Sequence, residues 1–250
     1  MARPFLSFIV PVYNNADFLA QALIEIDRYA TEHTYSYEIL VVDDVSTDAT
    51  KKIIEKFSGI IRHIKYIENS EHRGKGSVVK IGMLAAYGNW RYVIDITNTS
   101  SLVAFNACIS HITSKKSYDI VSMPRYEKEH TSFLSSLFSG EMCSIEWIVN
   151  AFIARIFKSD IPSFLFSVHC FSSESAENIF SHTQLTHSGY ISEALLLSER
   201  MGYTQKCIPA LEQSYHHLHF HSESLQIARE MIKMRWWLYR GHYTSEFKNI

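Results

Sequence analysis

An α/β fold, a mostly parallel sheet flanked by crossover helices, is predicted by three observations. Short β-branched runs alternate with helical segments at close spacing through the first 125 residues. The helical segments carry apolar residues near 3.6 spacing. An apolar content of 46% over 250 residues is ample for a buried core.

Residues 8–12, 38–42, 65–68, 92–95 and 120–123 read as strands, and residues 17–29, 49–57, 76–87 and 102–113 as the intervening helices. Thr47 and Asp48 precede the second helix as N-cap candidates, since their side-chain oxygens can accept from first-turn amides. After about residue 126 the composition turns rich in Ser, Phe and His, with one long apolar helix and no further clean strand-helix alternation. No Pro/Gly/Ser-rich joint, repeat or low-complexity run separates the halves. One domain over 1–250 is therefore expected, its second half (126–250) covering the first (1–125).

Charge and cysteine usage narrow the setting. A formal net charge of −2, from 24 basic and 26 acidic residues, supplies no global field that would favour nucleic acid as a partner. Cys108, Cys143, Cys170 and Cys207 lie far apart with no CxxC pair, which suits reduced thiols and a cytoplasmic setting. The apolar run at the N-terminus is interrupted by Pro11 and followed by Tyr13, Asn14 and Asn15, which reads as a first strand rather than a signal peptide. No stretch reaches the roughly 18 consecutive apolar residues of a membrane span.

The chemistry concentrates at predicted strand ends. The first strand runs into Val10-Pro11-Val12-Tyr13-Asn14-Asn15 and the second into Val41-Val42-Asp43-Asp44-Val45-Ser46-Thr47-Asp48. Ligands of open α/β sheets bind at these carboxyl ends. Asp44 can accept hydrogen bonds from a base or ribose, Tyr13 offers an aromatic face, and Pro11 stiffens the loop. An ordinary strand end with capping residues is the competing reading. Arg73-Gly74-Lys75-Gly76 adds two glycines that permit close backbone approach and one cation.

Together these motifs resemble the opening of family 2 glycosyltransferases: Pro-x-Tyr-Asn, then Val-Val-Asp-Asp-x-Ser-Thr-Asp, then the Gly-Lys-Gly loop with Gly82 and Ala86-Tyr87-Gly88-Asn89. The resemblance implies a GT-A-type, Rossmann-like fold and a nucleoside diphosphate sugar as donor. Its binding residues would be Pro11, Tyr13, Asn14, Asp43, Asp44, Ser46, Gly74, Lys75 and Gly76. In that family the next strand ends in Asp-x-Asp, which holds a divalent cation, Mg²⁺ or Mn²⁺, against the diphosphate. This chain reads Asp95-Ile96-Thr97-Asn98, so Asp95 occupies the first acidic position and Thr97 replaces the second. Magnesium usually takes one or two carboxylates plus substrate phosphates, so Asp95, Thr97 and Asn98 form a weak metal set. Loss of metal dependence is the alternative. Asn15 also stands where many relatives carry an acid.

The second half resembles the dolichol/polyprenyl-phosphate mannose synthase branch through Asp119-Ile120-Val121-Ser122-Met123-Pro124-Arg125-Tyr126, and later Gly189-Tyr190 with Glu193, Gly202-Tyr203 and Ile208-Pro209. Arg125 would contact phosphate, a role its planar guanidinium suits, and with Asp95 it completes the catalytic pair the resemblance implies. The acceptor would be a polyprenyl phosphate, glycosylated with inversion. An acceptor-side segment expected after Asp160 instead reads Phe164-Leu165-Phe166-Ser167-Val168-His169, and histidines replace arginines near residue 217. In an extended strand His217, His219 and His221 would share one side, opposite His216, either as a zinc site or as a titratable strip beside phosphate. Asp160 and Glu193 are the general-base candidates should the acceptor be a saccharide hydroxyl. Residues 144–158 form a helix apolar on nearly every face, either core or interfacial. Arg229, Lys233, Trp236 and Arg240 can share one face of a last helix, with Ile227, Met231, Met234 and Leu238 on another, compatible with peripheral membrane contact. The alternative function is a regulatory or binding subunit that keeps the fold with weakened or no transfer activity.

Overall fold

The computed structural model describes residues 3–97, 101–114, 118–124, 145–159, 166–209 and 220–243. Its first half runs β1 (Leu6–Val12), α1 (Ala16–Glu32), β2 (Tyr37–Asp43), α2 (Thr50–Ser58), β3 (Ile64–Glu68), α3 (Lys75–Ala85), β4 (Trp90–Val93), α4 (Ser101–Ile112) and β5 (Ile120–Pro124). Then follow α5 (Ile145–Phe157), β6 (Phe166–Ser172), α6 (Ser173–His182), α7 (Tyr190–Arg200), β7 (Gln205–Cys207) and α8 (Phe220–Arg240).

The sheet has the order β3-β2-β1-β4-β6-β5-β7. β1 pairs in parallel with β2 and β4, β7 with β5, and β6 runs antiparallel between β4 and β5. β2 is buried at every position and β1 at all but Pro11. Burial on both faces is what a parallel strand covered by helices on both sides requires, and it explains why these runs are continuously apolar. Alternate residues feed two cores. Phe8 and Val10 pack with Leu19 and Leu23 of α1, Ile54 of α2 and Phe105 of α4, whereas Ile9 packs with Val79 and Met83 of α3 and the helices of the second half.

The second half departs from expectation. β6 and β7 lie there, with α6 starting directly after β6, where no clean alternation is legible. β6 carries Ser167, His169 and Ser172 in place of a β-branched run, yet His169 and Cys170 are buried between the neighbouring strands. An antiparallel strand inserted in mid-sheet takes its burial from its neighbours, so local periodicity does not report it. The fourth strand also stops at Val93, which leaves Asp95 on the turn beyond it.

The cap of α2 differs as well. Its N-cap is Ala49, and Asp48 sits one residue earlier. Asp48 accepts from the Thr50 amide at 2.9 Å and from the Ala16 amide at 3.1 Å, so one carboxylate serves the first turns of two helices. Burial alone would raise its carboxyl pKa, but the bonds from Thr50 and Ala16 outweigh it and hold the group below the usual range.

Cys108 and Cys170 are buried free thiols and Cys207 is half-buried; Cys143 lies outside the described residues. Burial pushes the Cys108 thiol up to about 12, which leaves it protonated and inert. α8 divides as its pattern predicts: Ile227, Met231, Met234 and Leu238 are buried, while Arg229, Lys233, Trp236 and Arg240 face solvent. α5 packs on α8, burying Ile153 and Phe157 and leaving Phe152 outside. Among the described residues, no helix is long and apolar enough to cross a membrane.

Candidate active site

β1 and β4 stay paired only from Leu6 to Ile9, with a last link from the Ile94 amide to the Ile9 carbonyl at 2.9 Å. Beyond it the strands part. Pro11, which has no amide to donate, falls on this stretch and loses no ladder bond on the β4 side. The chain also reverses its direction of sheet growth here, since β2 and β3 lie to one side of β1 and β4 to the other. Such a switch point opens a ligand crevice at the strand ends.

The motif residues tie its rim together. Asn14, at φ 52°, accepts from the Thr47 amide at 2.8 Å and donates its own amide to Ser46 Oγ at 2.9 Å. Ser46 donates its hydroxyl and amide to Asp43 Oδ1, and Tyr66 donates to Asp43 Oδ2. Asp44 Oδ1 accepts from Asn69 Nδ2 at 2.8 Å and the Arg73 amide at 3.0 Å, and Oδ2 from the Gly74 amide at 2.7 Å. His72 Nδ1 lies 2.9 Å from Oδ2 as well. The His72 ring rests against Tyr13 with centroids 4.2 Å apart, so two aromatic faces stand together at the rim. Nothing in the sequence pattern singles out His72, because it belongs to none of the motif positions. Val45 holds φ 66°, a left-handed conformation that opposes its branched side chain.

Across the crevice Lys75 Nζ lies 2.9 Å from Asp95 Oδ2. Asp95 Oδ1 accepts from the Thr97 hydroxyl at 2.6 Å and the Thr97 amide at 3.1 Å. The Lys75 charge, helped by the Thr97 bonds and opposed by burial, keeps the Asp95 carboxyl far below the usual carboxylate range. Asp95 is thus ionised at any working pH. One carboxylate and one hydroxyl are the hard oxygens Asp95 and Thr97 present, and among the described residues no group of three His, Cys, Asp or Glu side chains could hold a metal alone. The set fits a divalent cation that takes its remaining oxygens from a bound diphosphate.

Gly74 and Gly76 flank Lys75 for a reason the sequence does not reveal. Gly74 has φ 95°, and a Cβ there would stand 2.3 Å from His187 Nδ1. A Cβ at Gly76 would stand 2.8 Å from the Leu185 and His187 carbonyl oxygens. The close approach is to the loop between α6 and α7, whose Thr186 carbonyl accepts from the Gly76 amide at 2.7 Å.

Glu193 is fully buried and holds that same loop. It accepts from the Gln184 amide at 2.8 Å, the Leu185 amide at 2.9 Å and the Tyr243 hydroxyl. Burial raises its pKa to about 7 against the pull of those donors and of Lys80. Arg125, Asn98, Asp160, His216, His217 and His219 lie outside the described residues. His221 belongs to α8, which begins at Phe220, so it lies on a helix and not in the extended strand that would align it with His217 and His219.

Two measurements follow from this geometry. Val45→Gly relieves a left-handed β-branched residue, worth about 1–2 kcal/mol less the extra chain entropy of glycine. A net gain of about 1 kcal/mol in urea unfolding is expected; a loss would mean that the Val45 side chain packs favourably. For Glu193, the folded pKa of about 7 lies above the ordinary 4.5. Between those values the folded chain keeps a proton that the unfolded chain has released, so stability falls as pH rises through the window. The loss is on the order of 3 kcal/mol by pH 7 and is absent from Glu193→Gln. Unfolding free energies of both chains at pH 4.5, 6 and 7.5 check it, and parallel curves would refute it.

Comparison with known proteins agrees with this architecture. The model of the family described as Glycosyl transferase family 2 matches residues 7–155. A dolichyl-phosphate β-glucosyltransferase of Dictyostelium discoideum is 25% identical over 92% of this chain and 74% of its own length. Its Drosophila melanogaster counterpart is 37% identical over 33% of this chain and 28% of that enzyme. These names specify glucose, where the sequence resemblance pointed to the mannose synthase branch. Among solved structures, a mannosyltransferase from Pyrobaculum calidifontis, in complex with GDP-Man and Mn²⁺, aligns with a TM-score of 0.60 at 18% identity, over 100% of this chain and 68% of that one. Glucosyl-3-phosphoglycerate synthase from Mycobacterium tuberculosis, with Mn²⁺ and UDP-Glc, aligns with a TM-score of 0.65 at 15% identity, over 94% and 79%. At such identities the likeness establishes a shared GT-A fold. With its switch-point crevice, its strand order and a family match over more than half its length, this chain belongs to glycosyl transferase family 2.

Proposed function

We propose that this family 2 glycosyltransferase moves a sugar from a nucleoside diphosphate sugar to a polyprenyl phosphate, with inversion at the anomeric carbon. The observation that carries the reading is the Lys75–Asp95 pair at the crevice, a cation and a permanently ionised carboxylate 2.9 Å apart. Tyr13 forms the aromatic wall for the base, while Pro11, Asn14, Asp43, Asp44 and Ser46 shape the rim. Gly74 and Gly76 fix Lys75 within reach of the diphosphate. Asp95 and Thr97 would hold a divalent cation, Mg²⁺ or Mn²⁺, jointly with that diphosphate. When bound, the cation neutralises charge on the leaving group.

The relatives' dolichyl-phosphate names and the chemistry of the site support this acceptor. A phosphate acceptor is already anionic at neutral pH and needs little general-base help. Glu193, fully buried with its oxygens engaged, supports that reading because it stands off from any base role at the surface. Catalysis then rests on stabilising the departing diphosphate by Lys75 and Arg125, to which a bound cation would add positive charge.

A lipid-borne acceptor calls for contact with a membrane surface, and α5 and α8 offer it. Ile156, Ile232, Trp236 and Tyr239 line a cleft of about 770 Å³ with Arg235 and Arg240. Tyr239 is 89% exposed and Trp236 49%, and Arg240 stands 4.8 Å from the Trp236 ring centroid. Aromatic and cationic groups on one outward face suit an anionic headgroup layer.

Calorimetric titration of UDP and GDP, with and without Mn²⁺, beside a donor-hydrolysis assay, tests the donor side. Metal-dependent binding and turnover are expected, and Asp95→Ala lowers turnover about 100-fold or more without unfolding the protein. Nucleotide binding without any turnover would favour the alternative, a binding subunit that Thr97 in place of a second acid motivates. Cosedimentation with phosphatidylserine vesicles tests the membrane side: Trp236→Ala with Arg240→Ala weakens it several-fold while leaving UDP binding unchanged. Equal sedimentation of both proteins would remove α8 from that role.

A further inference from the structure

Lys75 is braced from two directions, and only one of them belongs to a motif. On the strand side, Asp44 holds the Arg73 and Gly74 amides. On the other side, the loop between α6 and α7 presses into the two glycines, and its Thr186 carbonyl accepts from the Gly76 amide at 2.7 Å and the Ser77 amide at 3.2 Å. That loop is held in turn by carboxylates from two helices. Glu193 of α7 takes the Gln184 and Leu185 amides. Glu230 of α8 takes the Gly189 amide at 2.6 Å and the His187 amide at 3.3 Å. A Cβ at Gly189 would stand 2.7 Å from Glu230 Oε2 and 3.0 Å from Glu230 Cβ, so the fit around this carboxylate is close. The α7 N-terminus also favours a negative charge at that point.

We propose that Glu230 is a positioning residue for Lys75, holding residues 186–189 against the Gly74-Lys75-Gly76 turn so that the ammonium stays in the crevice beside Asp95. The proposal rests on the donor-binding reading above and deepens it. Glu230 itself does not touch the donor. It acts through backbone amides: its carboxylate fixes His187 and Gly189, Thr186 between the held segments fixes the first amides of α3, and the glycines leave the turn no slack. α8 thereby joins an outward face of aromatic and cationic groups to the turn that carries Lys75.

A double-mutant cycle on the full chain tests this, with UDP and GDP in the presence of Mn²⁺ as probes. Glu230→Ala is expected to weaken nucleotide binding about tenfold, and Glu230→Gln, which keeps one acceptor oxygen, by a smaller factor. In a Lys75→Ala background, Glu230→Ala should change affinity less than twofold, because the group it positions is gone. A merely structural role would lower both backgrounds alike, so equal and additive losses would overturn the proposal, as would an affinity unchanged in Glu230→Ala. Titrations are run well below each variant's melting temperature, and Glu230→Gln carries the cycle should the alanine variant fail to fold. Wild-type chain that binds neither nucleotide would instead refute the donor reading itself, which keeps the two failures apart.

Discussion

The carboxylate of Asp44, 2% exposed at the end of β2, binds the Asn69 side chain, the Arg73 and Gly74 amides and the His72 ring, and much of the site depends on it. A buried carboxylate is tolerated only when its lone pairs are met, and here three donors meet them, with the His72 ring beside Oδ2. The arrangement converts a strand end into a fixed point. From it the chain runs directly into Lys75, so the cation of the crevice inherits the rigidity of the sheet. Asp43 does the same toward the other side through Ser46, which in turn receives Asn14 from the end of β1. Adjacent acids thus brace adjacent loops.

That division explains which parts were legible in the sequence. The parallel half was readable because its strands are buried on both faces and its helices carry one apolar side, so that pattern and position coincide. The motif residues at its strand ends were readable as a set, but their bonding was not: Asp43, Asp44, Asn14 and Ser46 read as ligand contacts and stand bonded to one another and to the loop backbone. The second half was far less readable. β6 takes its burial from β4 and β5, and the loop beneath Gly74 and Gly76 is specified by glycines more than a hundred positions away. Glu230 carries no local signal at all, since a glutamate on an amphipathic helix is ordinarily a solvated group.

The exchange of a second acid for Thr97 takes on physical meaning beside Lys75. With two carboxylates at this strand end, a cation would be bound largely by the protein. With one, already 2.9 Å from a lysine, the local charge is close to balanced before any ligand arrives. A second positive group can then join only in company with an anion, and a diphosphate supplies that charge. On the proposed donor reading, donor and cation binding would be mutually dependent, which is linkage in the thermodynamic sense.

Glu193 and Glu230 bring two carboxyl groups to the N-terminus of α7, and the two are treated differently. Glu193 sits in full burial with a pKa near 7, so around neutral pH it is partly protonated; it can still accept from Gln184 and Leu185, because a protonated carboxyl keeps acceptor capacity. Glu230 is only partly buried, on a helix whose other side faces outward. The loop they share is therefore held by one clamp inside the core and one on the helix that carries the exposed aromatic and cationic groups. Of the two, the α8 clamp is the one that anything seated on the outer face of that helix could shift, and the only path from it to Lys75 among these bonds runs through Gly189, His187 and Thr186.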